Sequence, residues 1–480
     1  MLRDGVLHAD LCIIGAGSGG LSVAAGAVQM GASVILIEKH LMGGDCLNSG
    51  CVPSKALLAA AHAAHAVRDA GRFGVRVPAP EIDFAAVRAH VRRAITAIEP
   101  NDSEARFTKL GVRVLRRHAR FAGPDTVVLD DGTTIHARRI VVAAGARAAV
   151  PPMPGLDTVP YLTNETLWAN ETLPEHLVVL GGGVIGVEMA FAHRRLGSRV
   201  TIVEGAAVLA REDAHLAAGL KQVLLDEGVV LREGVKVLRV EPGPTLVLAT
   251  EAGEERLTGS HLLVATGRAP NLDGLDLEKG GVTATRAGIA VTPGLVSVSN
   301  PKVFAVGDIA DVAGIGPRQF THVAGYHAGI VIRRALFRLP AKVDYRALPR
   351  VTFTDPELAQ VGLTEAEAKA AGHTPQVLHW DMAENDRAIA EGNTVGQARL
   401  VLNAKGRLIG AGILAPHAGE MIGQWGTAIM AGVKLSAMAG QIIAYPTRAE
   451  AAKRAAGSYF TPQLFAPRAR WLVRQLRRLG

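Results

Sequence analysis

Cysteine is scarce: Cys12, Cys46 and Cys51 are the only three among 480 residues. So few thiols exclude an extracellular disulfide framework, and a lone CxxxxC pair points instead to redox chemistry. A targeting segment is missing too. The first residues hold only a short apolar run that leads straight into glycines, which predicts no export and a cytoplasmic protein. Long apolar stretches are also absent. The nearest to spanning length, residues 427–446, contains Lys434 and Gln441 and reads as a buried helix. Finally, the body has little net charge. Arg468, Arg470, Arg474, Arg477 and Arg478 of the tail supply five of the eight net positive charges, so the rest is no nucleic-acid surface.

What is present is a globular composition, 49% hydrophobic, with length for roughly three domains. Its centre is the stretch 41–58, LMGGDCLNSGCVPSKALL, which sets Cys46 and Cys51 between a Gly43-Gly44 turn and an alanine-rich helix. Thiols at that spacing can close into a reversible disulfide, form a structural bridge, or simply be buried. A nearby helix start favours the first reading, because unpaired N–H groups stabilise a thiolate.

A short buried strand, residues 10–14, runs into Gly15-Ala-Gly17-Ser-Gly-Gly20, then a small-residue helix and a second strand, 34–37, ending in Glu38. This is a dinucleotide fingerprint: the glycines permit a tight turn, backbone approach to a pyrophosphate and close helix packing, and the acid receives a ribose hydroxyl. Residues 177–204 repeat it, with Gly181, Gly183, Gly186 and Glu204 at the same internal spacing. Two units imply two dinucleotides. Glu204 is followed by Gly205 rather than by an arginine for a 2′-phosphate, which favours NADH over NADPH; Arg211 is the nearest cation on that side. The run Pro151-Pro152-Met153-Pro154-Gly155 reads as a stiff crossover. From about Arg350 the texture becomes mixed α+β, with strands at 395–402 and 408–414, a helix at 420–432 and no fingerprint.

With these motifs in place, the chain resembles the class I pyridine nucleotide-disulfide oxidoreductases, among them dihydrolipoyl dehydrogenase, glutathione reductase and mercuric reductase. The resemblance spans residues 8–457 and rests on GGDCLNSGCVPSK, both fingerprints, ATGRAPN, VFAVGDIA and FTDPELAQVG. It implies an α/β fold with two Rossmann-type dinucleotide-binding domains, glutathione-reductase-like, plus a C-terminal α+β dimerisation domain. The corresponding segments are 1–150 and 276–345 for FAD, 151–275 for NAD(P)H, 346–457 for the interface, and 458–480 as a basic amphipathic tail.

By the same resemblance, Gly15, Gly17, Gly20 and Glu38 hold the adenosine diphosphate half of FAD and Asp308 its ribityl chain, with backbone near Ala119, Gly145 and Thr321 alongside. Gly181, Gly183, Gly186, Glu204 and Gly267 serve the second nucleotide. Cys51 lies against the flavin and Cys46 exchanges with the acceptor. Lys55, paired with Glu188, stabilises charge on reduced flavin. A homodimer, each site completed by the other subunit, is also implied.

The pattern breaks where the family's disulfide reductases carry His-Pro and then Glu. Here Tyr445-Pro446 precedes Glu450. A phenol near pKa 10 is a poor general base at neutral pH, which disfavours lipoamide or glutathione turnover. Mercuric reductases resemble this chain in having tyrosine there, but their N-terminal metal-binding module and C-terminal cysteine pair have no counterpart in these residues. The expected activity is thus mercuric-reductase-like, with a disulfide, a metal ion, a quinone or oxygen as acceptor; dihydrolipoyl dehydrogenase is the alternative, and a nucleotide-binding protein without dithiol turnover the rival of another class. No resident metal site is expected: His62 and His65 share a helical face without a third ligand. His322 and His417 fall in segments expected near the flavin or interface. In the tail, Trp471, Leu472, Leu476 and Leu479 can share one helical side opposite arginines, which suits either a solvated terminal helix or peripheral contact with an anionic membrane.

Overall fold

The computed structural model describes residues 2–3 and 5–479. The chain divides into two compact units, Met1–Glu175 with Leu238–Leu246 and Leu257–Val343, and His176–Val237 with Val247–Arg256 and Asp344–Gly480.

The first unit is built on the parallel strands Arg113–Leu115, Val34–Ile37, Val6–Ile14 and Thr134–Val142, with Val303–Ala305 pairing in parallel along the end of the last. Leu11, Cys12 and Ile13 are wholly buried, as expected for a parallel sheet covered on both faces. Cys12 is therefore a core residue. Helix Ser18–Gln29 follows the first strand, and its small residues have a packing reason. A Cβ on Gly26 would stand 2.2 Å from the Ile332 side chain, and one on Gly19 would stand 3.1 Å from Val306, so helix Thr321–Ala335 lies close against this face.

In the second unit, parallel strands His176–Leu180, Arg199–Glu204 and Val230–Glu233 carry helix Val184–Leu196. The same unit holds a five-stranded antiparallel sheet, in spatial order Pro349–Thr352, Glu357–Gly362, Leu408–Ala415, Gln397–Leu402, Gln376–Asp381. Helices Ala418–Ala431 and Ala449–Ser458 cover it, and Trp425 is wholly buried in that core. The nucleotide fold and this sheet are tied by Arg195, 3% exposed at its side chain, which bridges Glu227 at 2.7 Å and Asp355 at 2.9 Å.

The single buried helix expected over residues 427–446 is not formed. Helix Ala418–Ala431 stops at Gly432, whose φ of 64° is left-handed, and a separate short helix, Leu435–Gly440, follows. Ile442 beyond it is fully exposed. The tail forms helix Pro467–Leu476, started by proline and burying none of its residues. Among the described residues no helix is long and apolar enough to cross a membrane.

Candidate functional site

The glycine turn at residues 43–44 brings the cysteine loop to the first fingerprint. Gly43 and Gly44 have φ of 86° and 60°, and a Cβ on Gly44 would lie 2.6 Å from Gly17 Cα. Only glycine fits both demands. The Gly43 N–H donates to the Ala16 carbonyl at 2.9 Å, closing the approach. Short helix Gly44–Asn48 then carries Cys46, and Cys51 opens helix Cys51–Asp69.

Cys46, half-buried, and Cys51, exposed, stand as free thiols in this structure. Their sulfurs are in hydrogen-bonding reach. The Cys46 thiol donates to Cys51, which lowers Cys51 to about 6; burial opposes this, while a hydrogen bond from Thr321 and the Lys55 charge assist. Thr321 Oγ1 lies 3.2 Å from Cys51 Sγ. Cys46 is pushed up by the same shared proton and by burial. One sulfur is thus a thiolate at neutral pH and the other a proton holder. An open groove of about 410 Å³ runs beside Cys51, lined also by Val52, Lys55, His90, Ala94 and Ile98.

The loop is anchored by residues that the sequence did not single out. Asp45 Oδ1 accepts from Ser49 Oγ at 2.8 Å and from Asn164 Nδ2 at 3.3 Å, and Trp168 Nε1 donates to the Ser49 carbonyl at 2.9 Å. Arg268 Nη2 lies 3.0 Å from Asp45 Oδ2 and 3.2 Å from Asp308 Oδ2. Burial pushes the Asp308 carboxyl up, against the Arg268 charge. Gly307, before Asp308, is left-handed, and its N–H donates to Nδ1 of buried His327 at 3.1 Å; burial depresses that imidazole to about 4. Its role is to hold the turn as a neutral acceptor.

Both fingerprints are built alike. Gly15 and Gly181 are left-handed, and a Cβ on Gly20 or Gly186 would stand 1.8 or 2.0 Å from the Gly15 or Gly181 carbonyl oxygen. Glu38 accepts the N–H of Ala16 at 2.8 Å and of His40 at 2.7 Å; Glu204 accepts those of Gly182 at 2.7 Å and Ala206 at 2.9 Å. Each acid is therefore fixed at the strand end where a ribose would sit. Gly17 and Gly183 have neither a positive φ nor a close neighbour in the place of a side chain. A Cβ on Gly183 would meet nothing within 4 Å, and one on Gly17 only Gly44 Cα, at 3.7 Å. The protein itself does not require glycine there; the open cradle at each helix start fits a pyrophosphate that must approach the backbone. The residues present thus fit FAD on the first unit and a pyridine nucleotide on the second.

Of the remaining expected site residues, Ala119 is buried and pairs with Leu129, Gly145 has φ of 67°, Gly267 has φ of 140°, and Glu188 is 4% exposed and accepts the Phe353 N–H at 2.9 Å. Tyr445 is 68% exposed, and its hydroxyl donates to Asp386 Oδ2 at 2.8 Å. That carboxylate pushes the phenol above its ordinary value. Glu450 lies in the first turn of helix Ala449–Ser458, His322 stacks on Phe320, and His417 precedes helix Ala418–Ala431 with φ of 61°.

Two outcomes follow from this geometry. In reduced protein the Cys51 thiolate should be present at pH 7 and lost as pH falls through about 6. Thr321→Val should move that midpoint up by about one pH unit, read as ultraviolet thiolate absorbance, because a hydrogen bond to a charged group is removed. Gly17→Ala should leave the unfolding temperature close to that of the parent but sharply reduce bound flavin per chain; unchanged flavin content would refute the cradle.

Two family models match the chain, that described as pyridine nucleotide-disulphide oxidoreductase over residues 9–328 and the dimerisation domain of the same family over residues 348–456. The chain is 36% identical over 459 residues to a mercuric reductase of Streptomyces lividans, covering 94% of this chain and 96% of the relative. It is 34% identical over 470 residues to a dihydrolipoyl dehydrogenase of Geobacillus stearothermophilus, covering 95% and 97%. Among solved structures it is similar to RclA, an HOCl-induced flavoprotein disulfide reductase of Escherichia coli, with 28% identity and a TM-score of 0.81 over 93% of this chain and 99% of that one. RclA has also been solved as a Cu(II) complex, similar at the same identity and TM-score over 92% and 98%. The chain belongs to the pyridine nucleotide-disulphide oxidoreductases, enzymes that use FAD and NAD(P)H, and carries their dimerisation domain.

Proposed function

We propose that this enzyme takes electrons from NADH and delivers them through Cys46 and Cys51 to a thiophilic metal ion. The observation that carries the reading is the sulfur pair at the head of helix Cys51–Asp69, with Thr321 Oγ1 3.2 Å from Cys51 Sγ and Cys51 the more acidic of the two thiols. FAD, when bound, accepts hydride from the nicotinamide and relays two electrons to a disulfide. Gly15, Gly17, Gly20, Glu38 and Asp308 hold it, and Lys55 supplies the positive charge beside it. Cleavage of the Cys46–Cys51 bond uses two electrons and two protons. Cys51 is the sulfur on the flavin side and Cys46 the one that meets the acceptor. With Cu(II), two ions each take one electron, two protons leave, and the sulfur–sulfur bond re-forms.

Tyr445 favours such an acceptor. Its phenol donates to Asp386 and is held above pKa 10, so it is no base for the proton transfers that a disulfide substrate needs. The mercuric reductase relatives and the Cu(II) complex of RclA support the same acceptor class. Glu204, with both oxygens fixed by backbone N–H groups, opposes a 2′-phosphate and supports NADH. The dimerisation domain supports a homodimer in which Tyr445 of one subunit reaches the sulfur pair of the other.

Anaerobic NADH oxidation with Cu(II), Hg(II), lipoamide, glutathione disulfide and a quinone tests this reading. A metal ion should be turned over faster than either disulfide, with loss on Cys46→Ser and Cys51→Ser, and Tyr445→His should raise lipoamide turnover. Preference for NADPH or for lipoamide in the parent would overturn it.

For the tail, we propose contact with an anionic membrane surface over a merely solvated terminal helix. Trp471, Leu472, Val473, Leu476 and Leu479 are each at least half exposed, and the helix Pro467–Leu476 has no acidic residue. Deleting residues 464–480 should abolish sedimentation with phosphatidylglycerol vesicles while leaving NADH oxidation intact; unchanged sedimentation would refute the contact.

A further inference from the structure

Beside the sulfur pair lies a charge cluster of which the electron path uses only Asp308. Arg268, 13% exposed at its side chain, contacts Asp45 and Asp308 with one nitrogen, donates to the Ala146 carbonyl at 3.1 Å, and feels the Glu165 charge as well. Asp45 precedes Cys46 directly, and its backbone carbonyl accepts the N–H groups of Ser49 and Gly50 at 2.9 and 2.6 Å, so the carboxylate is rooted in the loop that joins the two cysteines. We propose that Asp45 and Arg268 together set the thiol–disulfide equilibrium of the Cys46–Cys51 pair: the carboxylate opposes thiolate charge, and the guanidinium limits that opposition by pairing with it.

The signs follow from the groups facing the sulfurs. Lys55, from the helix that Cys51 opens, and the Thr321 hydroxyl, from the helix start opposite, favour the thiolate; Ser18 hydrogen-bonds Cys46; His90 lines the groove; burial and the Asp45 carboxylate oppose charge on Cys51. A stabilised thiolate makes the dithiol the easier state to reach, and an opposed one makes the disulfide harder to open. Without Arg268, the Asp45 carboxylate would act on Cys51 uncompensated. Arg268 touches neither cysteine in this arrangement; it is a positioning residue acting through Asp45.

This inference rests on the reading that the pair turns over between disulfide and dithiol. Holoprotein would be equilibrated anaerobically with mixtures of reduced and oxidised dithiothreitol, in which the reagent's two thiols become its cyclic disulfide as the protein's sulfur–sulfur bond takes up two electrons and two protons. Acid quenching, alkylation and mass measurement read the dithiol fraction. Asp45→Asn, which keeps the oxygen that Ser49 and Asn164 contact, should shift the equilibrium constant toward dithiol by about three- to tenfold, and Arg268→Met toward disulfide by a similar factor. Arg268→Lys should restore most of the parent value. Shifts in the same direction, or none, with flavin still bound would overturn the proposal. Should Arg268→Met fail to fold, Asp45→Asn alone decides, and an unmoved constant overturns it. A parent that never cycles between disulfide and dithiol would instead refute the electron path under Proposed function.

Discussion

The shared proton between Cys46 and Cys51 is the interaction on which the site depends. It makes the two sulfurs unequal, one acidic thiol made more so and one made less so, without any metal or distant base. The inequality needs a close approach, and the close approach needs the chain to reverse between residues 46 and 51 while both ends stay anchored. Gly43 and Gly44 supply the left-handed backbone at one end, and Cys51 at the start of a 19-residue helix supplies the other. The helix start adds partial positive charge where the thiolate forms.

Much of this was legible in the sequence because it is local. A fingerprint is a strand, a turn and a helix within about thirty residues, and its acid closes the unit, so Glu38 and Glu204 could be placed from spacing alone. The backbone then added that each acid also clasps its own turn, through Ala16 and Gly182. Cys46 and Cys51 were equally plain. Asp45 was not, although it stands in the same motif, because its partner Arg268 lies in a short strand far along the chain and no periodicity joins them. Asn164 and Trp168 were hidden for the same reason: their contacts to the cysteine loop span more than a hundred residues. The single helix expected over residues 427–446 is cut by a local signal that average hydropathy hides: Gly432, whose left-handed backbone ends the helix.

Tyr445 shows how far a local departure can be interpreted. Sequence supplied the missing histidine and the argument from pKa; the structure supplied Asp386, whose carboxylate takes the phenolic proton in a hydrogen bond and raises its hold on it. Asn385, next to Asp386, donates to the Thr447 carbonyl at 3.0 Å, so the segment carrying the carboxylate is tied to the segment carrying the phenol. The substitution is therefore part of a built contact in which tyrosine acts as a donor.

The small residues of the first fingerprint helix reach further than nucleotide binding. Glycine inside a helix costs about 1 kcal/mol relative to alanine, and Ser18–Gln29 contains three. Gly20 answers to the turn before it, since Gly15 occupies the space of its side chain, but Gly19 and Gly26 answer to the neighbouring helix Thr321–Ala335. By letting that helix approach until Ala324 and Ile332 fill the gaps, they fix its axis, and its first residue is Thr321, whose hydroxyl stands 3.2 Å from Cys51 Sγ. A larger residue at position 26 would first displace the Ile332 side-chain end. The penalty for glycine in the helix is thus offset by close packing against the helix whose first residue supplies the hydroxyl beside Cys51.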